Sequence, residues 1–458
     1  MKGRSEEKNV VKASSNQKVV KNPPLKTDKK QLAQRRKEQE REGIYLPQKK
    51  DKLLPDINVL GDSVVEGDII RVKSGVDRIL LVLVLILITF GSVMVFSASY
   101  ADASARFDDS YHFIKRQIIF VAIGFFFMFI VMRLPYTIFK FATVPSYIAT
   151  LGLLGVVLIM GVIGGGARRW IAIGSFTFQP SELAKLTLVM MLAWYYTTFQ
   201  EGMRYKKWSM LSRHPEKRKE EKKLWWRANF TYGILLPGCI IGLVVILVAL
   251  EKHLSGIIIL GLIGLTVMYV AGCNSAILGS LILFAGAGVG AFALLTDYTK
   301  RRIDIWLDPA AYPLDGGWQT LQGMNAIGSG GLWGLGLGES RQKYSYVSQP
   351  QNDFIFTIVC EELGFVGAVC VIFLFALLIW RGFSIAKKAP DSYTGLVAFG
   401  ITAKVAIQVL LNIGVVTNSL PNTGISLPFF SYGGSSLIML LIEMGILLNI
   451  SRVSYIRK

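Results

Sequence analysis

Long runs of apolar residues restrict the fold of this 458-residue chain more than any other feature. The chain is 52% apolar with a mean hydropathy of +0.45, and the runs approach the roughly 20 residues that a helix needs to cross about 30 Å of hydrocarbon. The run at residues 79–101 carries no charge. It is too long and too far from the N-terminus for the apolar core of a signal peptide. We therefore interpret it as a retained first span.

The runs predict an all-α polytopic membrane protein with about ten transmembrane helices. Glycine and proline occur inside several runs, which is common in membrane bundles because neighbouring helices satisfy the freed backbone groups. The approximate centres of the predicted spans are Ile86, Phe125, Leu154, Val189, Ile241, Leu262, Leu283, Phe373, Ile407 and Leu441.

The net charge of +19 comes mostly from basic residues in two places, the first 78 residues and residues 204–227. Positive charge gathered in loops on one side of a membrane marks the cytoplasmic side. A nucleic-acid-binding protein would instead carry a basic face on a folded domain, interleaved with aromatic side chains. We therefore expect no nucleic-acid partner, and we place both termini in the cytoplasm.

This orientation divides the chain into a tail, a membrane domain and a short end. Residues 1–74 are rich in Lys, Gln and Glu and poor in aromatics, so they are predicted to be a disordered basic cytoplasmic tail. Residues 75–452 form the membrane domain, and residues 453–458 the cytoplasmic C-terminus. The loops at residues 102–112, 164–178, 304–353 and 417–434 then lie outside. The largest, residues 304–353, joins spans seven and eight.

The loop at residues 164–178 contains two arginines beside a tryptophan, Arg168, Arg169 and Trp170. A guanidinium group pairs with phosphate through two parallel hydrogen bonds, and an indole can lie on a sugar face. Glu182 and Lys185 follow, one turn apart on the next helix. This pair can contact a ligand, or it can be an internal ion pair that holds helices together.

The loop at residues 304–353 ends in an acid, Asp353, at the head of an apolar helix. The residue type leaves two roles open: an N-cap, or a general base whose pKa partial burial would raise towards neutral. The glycine-rich residues 328–338 lack the Lys-Ser/Thr ending of a phosphate-binding P-loop, and no strand precedes them. Four further acids and bases fall inside spans, and the sequence does not say how they pair: Glu361, Glu362, Lys404 and Glu443.

A third outer segment, residues 421–436, combines two prolines, paired glycines and small hydroxyls at the start of a span. Such a composition is typical of a re-entrant or broken helix entry, whose free backbone groups must face protein or a cavity.

These segments together resemble the SEDS family (shape, elongation, division, sporulation), to which FtsW, RodA and SpoVE belong. The resemblance covers residues 76–452 and is closest to the FtsW/SpoVE branch. One departure is the sequence before Asp353, where Ser-Gln-Pro-Gln-Asn stands in place of the family's common Leu-Pro-Glu-x-x-Thr. The matching pieces are residues 166–171, 178–185, 326–331, 353–356, 361–364 and the signature-like residues 423–436.

The resemblance implies a SEDS fold and a peptidoglycan glycosyltransferase that polymerises lipid II at the outer face of the bacterial plasma membrane. It implies an inverting reaction, most simply for the division septum, beside a class B penicillin-binding protein and other division proteins. The essential acid falls on Asp353. A divalent cation (Mg²⁺ or Mn²⁺) at Asp353 is a hypothesis, and no organic cofactor is expected. The residues predicted to bind substrate are Arg168, Arg169, Trp170, Gln179, Glu182, Lys185, Lys343 and Ser431.

Two other functions use the same features. A lipid II flippase would bind the same amphiphilic substrate, but a transporter carries its ionisable groups near the midplane and is built from internal repeats. A non-catalytic scaffold of the division machinery would have no need of the acid at Asp353. The sequence leaves open division against elongation or sporulation, and the identity of the partner.

Overall fold

The computed structural model describes residues 69–73, 75–164, 167–174, 176–199, 215–283, 297–313, 317–344 and 346–457. The predicted tail falls outside these residues, except for the strand at Ile69–Lys73. The helices are α1 (Arg78–Phe107), α2 (His112–Arg133), α3 (Thr137–Met160), α4 (Pro180–Thr198), α5 (Pro215–Trp226), a π-helical segment (Arg227–Leu235), α6 (Leu236–Leu250), α7 (Leu254–Val270), α8 (Asp297–Leu307), α9 (Gly317–Ser329), α10 (Ile355–Lys387), α11 (Ser392–Val416) and α12 (Gly434–Ser451).

The prediction of a polytopic helical membrane protein is confirmed. Among the described residues, seven helices are long and apolar enough to cross a membrane, one of them the continuous Glu216–Leu250. The 19-residue α4 and the 17-residue α7 are shorter helices of the same bundle. Nine of the ten predicted span centres lie in these helices. The tenth, Leu283, ends a helical stretch at residues 275–283, and the chain beyond it to residue 296 lies outside the described part.

Two small sheets accompany the helices, which the all-α prediction did not include. The predicted outer loop at residues 164–178 forms an antiparallel sheet of β2 (Val162–Gly164), β3 (Ala167–Ile173) and β4 (Phe176–Phe178). At the other sheet, β1 (Ile69–Lys73) pairs antiparallel with β5 (Val453–Arg457). This pairing brings the two flanks of the membrane domain together.

The most buried span is α12, and α2 packs against it along most of its length. Glycines allow the two backbones to approach: a Cβ at Gly445 would lie 2.7 Å from the carbonyl oxygen of Met128. Close packing of small residues is a main source of helix association in lipid, where burial of apolar surface contributes little. The centre of the bundle is therefore rigid, and it supports the residues that follow.

Charges inside the bundle are paired. Lys404 on α11 donates to Glu443 on α12 at 2.7 Å, which resolves one of the pairings that the sequence left open. The other two acids bind the outer loop instead. Glu361 accepts from the backbone N–H of Arg341 at 2.9 Å, and Glu362 pairs with Lys343 of that loop at 3.2 Å and also accepts from Ser97 of α1. Leaving any of these charges unpaired in hydrocarbon would cost about 3 kcal/mol.

Helix α10 is broken at Gly364, where φ is +67° and ψ is −166°. The glycine-rich residues 330–338 run beside this break and satisfy its backbone groups. Leu335 N donates to Glu361 O at 3.0 Å, and Phe365 N donates to Gly331 O at 2.9 Å. Part of the predicted outer loop therefore lies against α10, at the level of the first turns of that helix.

Substitution Gly364→Ala should destabilise the protein by roughly 3 kcal/mol, because a side chain is strained at positive φ and would also meet backbone atoms of Leu332 and Gly334. Thermal unfolding in detergent measures this. The matched control is Gly155→Ala in α3, where a Cβ would have no atom within 4 Å. The control should be neutral or slightly stabilising. Equal midpoints for the two variants would contradict the role of Gly364.

Candidate active site

A cavity of about 860 Å³ opens at the end of the bundle where three segments predicted to be outside meet, residues 164–178, 304–353 and 421–436. Its wall is built from the hairpin β3–β4, the first turns of α4 and α7, the turn before α10, and residues 418–436. It brings together six of the predicted site residues, namely Asp353, Arg169, Trp170, Gln179, Glu182 and Lys185.

Asp353 lies in the turn before α10 and faces the cavity next to Gly424, where a Cβ would lie 3.1 Å from Asp353 Oδ2. The helix begins at Ile355 with Phe354 as its N-cap and without a side-chain cap, so the N-cap alternative for Asp353 is wrong. Burial raises the pKa of Asp353 to about 6. Such a carboxyl is mostly ionised at neutral pH and is still basic enough to accept a proton.

Hydrogen bonds to three consecutive backbone carbonyls hold the Asp353 turn. Tyr432 N donates to Gln351 O at 2.8 Å, and Ser431 Oγ donates to Asn352 O at 2.8 Å. The amide of Asn412, which is fully buried on α11, donates to Asp353 O at 2.8 Å and to Ile425 O at 2.7 Å. The signature-like segment therefore positions the acid through its backbone and leaves the carboxylate to the cavity.

Another wall of the cavity carries fixed positive charge. The guanidinium of Arg169 donates to the backbone carbonyls of Glu251 and Lys252, the two residues that follow α6. A cation at a helix C-terminus is stabilised by the helix dipole. Lys185, only 2% exposed, pairs with Glu182 at 2.7 Å in the first turns of α4. Both cations line the cavity and are held in place before any ligand arrives.

His253 is a cavity residue that the sequence analysis missed. It precedes α7, and its Nδ1 lies 3.3 Å from Ser181 Oγ. Burial, together with the charges of Arg169 and Lys185, lowers the pKa of His253 to about 4, so the imidazole is neutral at physiological pH. The α4 and α7 N-termini both open into the cavity beside it. Helix N-termini present free N–H groups and favour anions.

Three predicted substrate-binding residues are not brought to this cavity. Arg168 is exposed and donates to Ile159 O at the end of α3. Lys343 is buried against Glu362, 3.2 Å away, and binds the loop to α10. Ser431 is buried beneath the Asp353 turn and lines a separate, small cavity between Glu182 and Lys404. The contacts of Lys343 and Ser431 fix the loop and the turn rather than facing the cavity.

Other cavity residues carried only weak signals in the sequence. Arg116 stands one residue from Lys115 at the start of α2, where a basic pair beside an apolar run is ordinary. In the structure it lines the cavity, as Tyr432 does. Gln408 lies on α11, one turn from Lys404. Its polarity inside an apolar span is the only indication in the sequence that it lines the cavity.

Substitution Asn412→Leu should release the signature-like segment, because two buried carbonyls lose their donor at about 1–3 kcal/mol each. Amide hydrogen exchange should rise in residues 421–432 and in the Asp353 turn. The matched control is Asn449→Leu on α12, where another buried amide donates to the carbonyls of Val131, Met132 and Leu134. The control should lower stability without raising exchange around Asp353. The same exchange pattern in both variants would contradict a specific hold on that turn.

Comparison with known proteins gives one family. The model of the FtsW/RodA/SpoVE cell cycle proteins matches residues 77–456. The chain is 39% identical to stage V sporulation protein E of Bacillus subtilis (strain 168), over 83% of this chain and 98% of that protein. It is 37% identical to a probable peptidoglycan glycosyltransferase FtsW of Geobacter sp. (strain M18), over 83% and 98%.

Solved structures agree. A chain of a peptidoglycan synthase complex, described for its coordination of polymerization and crosslinking, aligns with a TM-score of 0.65 at 28% identity. That match covers 82% of this chain and 98% of the other. The rod shape determining protein RodA of Thermus thermophilus aligns with a TM-score of 0.57 at 28% identity, over 82% and 97%. The resemblance expected from the motifs is confirmed, and this multi-pass membrane protein belongs to the FtsW/RodA/SpoVE family of cell cycle proteins.

Proposed function

We propose that this chain is an inverting peptidoglycan glycosyltransferase, which polymerises lipid II into glycan strands at the outer face of the bacterial membrane. One observation carries the proposal: the cavity holds Asp353, with its pKa raised to about 6, together with the guanidinium of Arg169 and the Lys185–Glu182 ion pair. The relatives named as probable peptidoglycan glycosyltransferases support it.

The reaction joins a sugar hydroxyl to the anomeric carbon of the growing chain. The hydroxyl is a poor nucleophile at neutral pH, so Asp353 accepts its proton as the new oxygen–carbon bond forms. The bond from the anomeric carbon to the lipid-linked pyrophosphate breaks, and the pyrophosphate leaves with the electron pair from the opposite face. This geometry inverts the anomeric centre, with the acceptor hydroxyl standing where water stands in an inverting hydrolase.

The departing pyrophosphate gains negative charge and needs preorganised positive groups. Arg169 and Lys185 are suited to this role, because each is anchored by other protein groups before substrate binds. The neutral His253 can donate or accept one hydrogen bond at the same wall. Trp170 and Gln179 line the cavity nearby, where an indole face and an amide can bind a sugar.

A divalent cation fits the acid end of the cavity. Among the described residues, no group of three His, Cys, Asp or Glu side chains could hold a metal by itself. However, Thr423 Oγ1, which lines the same cavity, and Asn412 Oδ1, on the side chain that holds the Asp353 carbonyl, are buried without a hydrogen-bond partner. One carboxylate plus neutral oxygens, completed by water and substrate phosphate, is the set that Mg²⁺ accepts. Asp353 and Thr423 would hold the ion, which when bound would neutralise charge on the pyrophosphate.

We further propose that the chain works beside a class B penicillin-binding protein, which cross-links the strands, and with other division proteins at the septum. The solved relative from a peptidoglycan synthase complex and the relatives named FtsW support this assignment. The related sporulation protein keeps a sporulation role open for the same chemistry.

Substitution Asp353→Asn should lower lipid II polymerisation about 10²- to 10⁴-fold, the usual contribution of a general base. Purified protein with its transpeptidase partner and Mg²⁺ or Mn²⁺ would be assayed for glycan strands on gels. The matched control is Asp308→Asn, an exposed acid of the same outer loop whose carboxylate caps a short turn. The control should remain active. EDTA should abolish the activity, and Mg²⁺ or Mn²⁺ should restore it.

The outcomes of this assay distinguish a polymerase from a flippase and from a non-catalytic scaffold. Equal product from wild type and Asp353→Asn would remove Asp353 from the chemistry. No product from wild type, combined with lipid II translocation in vesicles, would favour the flippase. Neither activity in the presence of the partner would favour a scaffold.

The polymerisation rate should depend on pH through Asp353. Because burial raises the pKa of Asp353 to about 6, the base is protonated below that pH, and kcat/KM should fall about tenfold per pH unit there. Above about pH 7 this group should cause no further change. A profile that stayed flat down to pH 4.5 would indicate a carboxyl kept ionised, by an ordinary pKa or by a bound cation, and would contradict a base whose pKa is raised by burial.

A further inference from the structure

Helix α5 belongs to the basic segment that neither the family resemblance nor the proposed reaction explains. It covers Pro215–Trp226, with the sequence PEKRKEEKKLWW, and continues through the π-helical segment into α6. Residues 216–220 and 222–224 are all exposed.

The basic and acidic side chains of α5 lie on different halves of the helix surface. At 100° per residue, one half of the helix carries basic and indole side chains and no acid. The other half carries the three acids, Glu216, Glu220 and Glu221, with the single basic residue Lys217. The residues of the basic half are Arg218, Lys219, Lys222, Lys223, Trp225 and Trp226.

The part of the basic half that carries Lys219 and Lys223 faces away from the buried side of the helix. Glu221 and Trp225 are the half-buried residues of α5, and Ala228, one turn further on, is buried. Lys219 and Lys223 are exposed and lie on the side of the helix opposite Glu221. The face that carries these charges is therefore exposed on the surface of the protein.

The length of the helix places this face at the membrane surface. The continuous helix Glu216–Leu250 has 35 residues, which at 1.5 Å per residue is about 52 Å. The hydrocarbon core is about 30 Å thick, so about 20 Å of the helix must lie outside it, and the charged α5 is the part that does. Because the far end reaches the cavity, α5 leaves the membrane on the side predicted to be cytoplasmic. Trp225 and Trp226 lie where the apolar run ends, which is the depth that tryptophan prefers in membranes.

We infer that the basic face of α5 is a binding site for anionic phospholipid headgroups of the adjacent leaflet. Lysine and arginine supply positive charge at headgroup level, and long side chains reach back to the phosphates. The two indoles anchor the helix at the same depth. The acids occupy the other half, so they do not oppose the contact.

This site lies at one end of a continuous helix whose other end holds Arg169 through the carbonyls of Glu251 and Lys252. Bound lipid would therefore fix the height of α6, and with it that wall of the cavity. The lipid site itself does not depend on the proposed reaction.

Native mass spectrometry of the full-length protein in mixed micelles tests the inference, with phosphatidylglycerol and phosphatidylcholine titrated separately. Lys219→Gln and Lys223→Gln should each weaken phosphatidylglycerol binding about fivefold, and together about 25-fold, because each basic residue contributes similarly near the surface. The matched control is Lys217→Gln, which removes the same charge from the acid-bearing half. It should change binding less than twofold. Binding to other basic segments is common to all variants and cancels in the comparison.

Three results would overturn the inference. Equal weakening by Lys217→Gln and Lys219→Gln would show that only overall charge acts. Wild-type binding that does not distinguish phosphatidylglycerol from phosphatidylcholine would leave α5 a solvated helix, or a site for an acidic protein. Lack of any weakening by added NaCl, which screens exposed charges, would exclude headgroup pairing.

Discussion

Hydrogen bonds to the backbone carbonyls of residues 351–353, donated by the segment that leads into α12 and by Asn412 of α11, hold the functional end of this protein together. They fix three successive carbonyls and leave the one ionisable side chain of the turn without a bond from the described protein. Had the carboxylate been held by donors, its pKa would have fallen and it would be a poor base. Holding the backbone instead gives a fixed position together with a raised pKa.

The bilayer explains why this arrangement is stable. Within hydrocarbon each polar group must find a protein partner, and the buried charges of α4, α10, α11 and α12 do so. Lys404 meets Glu443, and Lys185 meets Glu182. The acids of α10 bind the outer loop, which in turn supplies backbone hydrogen bonds at the break of that helix. Because Lys404 and Glu443 belong to different helices and the acids of α10 bind the loop, these contacts also fix the geometry around the cavity.

Predictability differed between the elements of the site. Asp353, Arg169, Trp170 and Lys185 were recognised because their residue types are unusual beside apolar runs, and the structure brings them to one cavity. Lys343 looked similar in the sequence but is bound to Glu362. The sequence did not predict Asn412 and His253, because a single amide or imidazole produces no periodic pattern and no charge pattern in a sequence. The role of each is visible only from partners 13 to 72 residues away.

The amino-acid sequence by itself determined the membrane-spanning helices, their approximate centres, the sidedness expected from charge, and the family. These properties depend on local composition, because hydrophobicity determines which segments span the bilayer and charge determines on which side a loop lies. The tertiary structure alone decided which charges meet, that a small sheet replaces an irregular loop, and which predicted ligands face the cavity. Such facts depend on contacts between residues far apart in the chain. One apolar stripe fits several neighbours equally well, so packing rather than composition chooses among them.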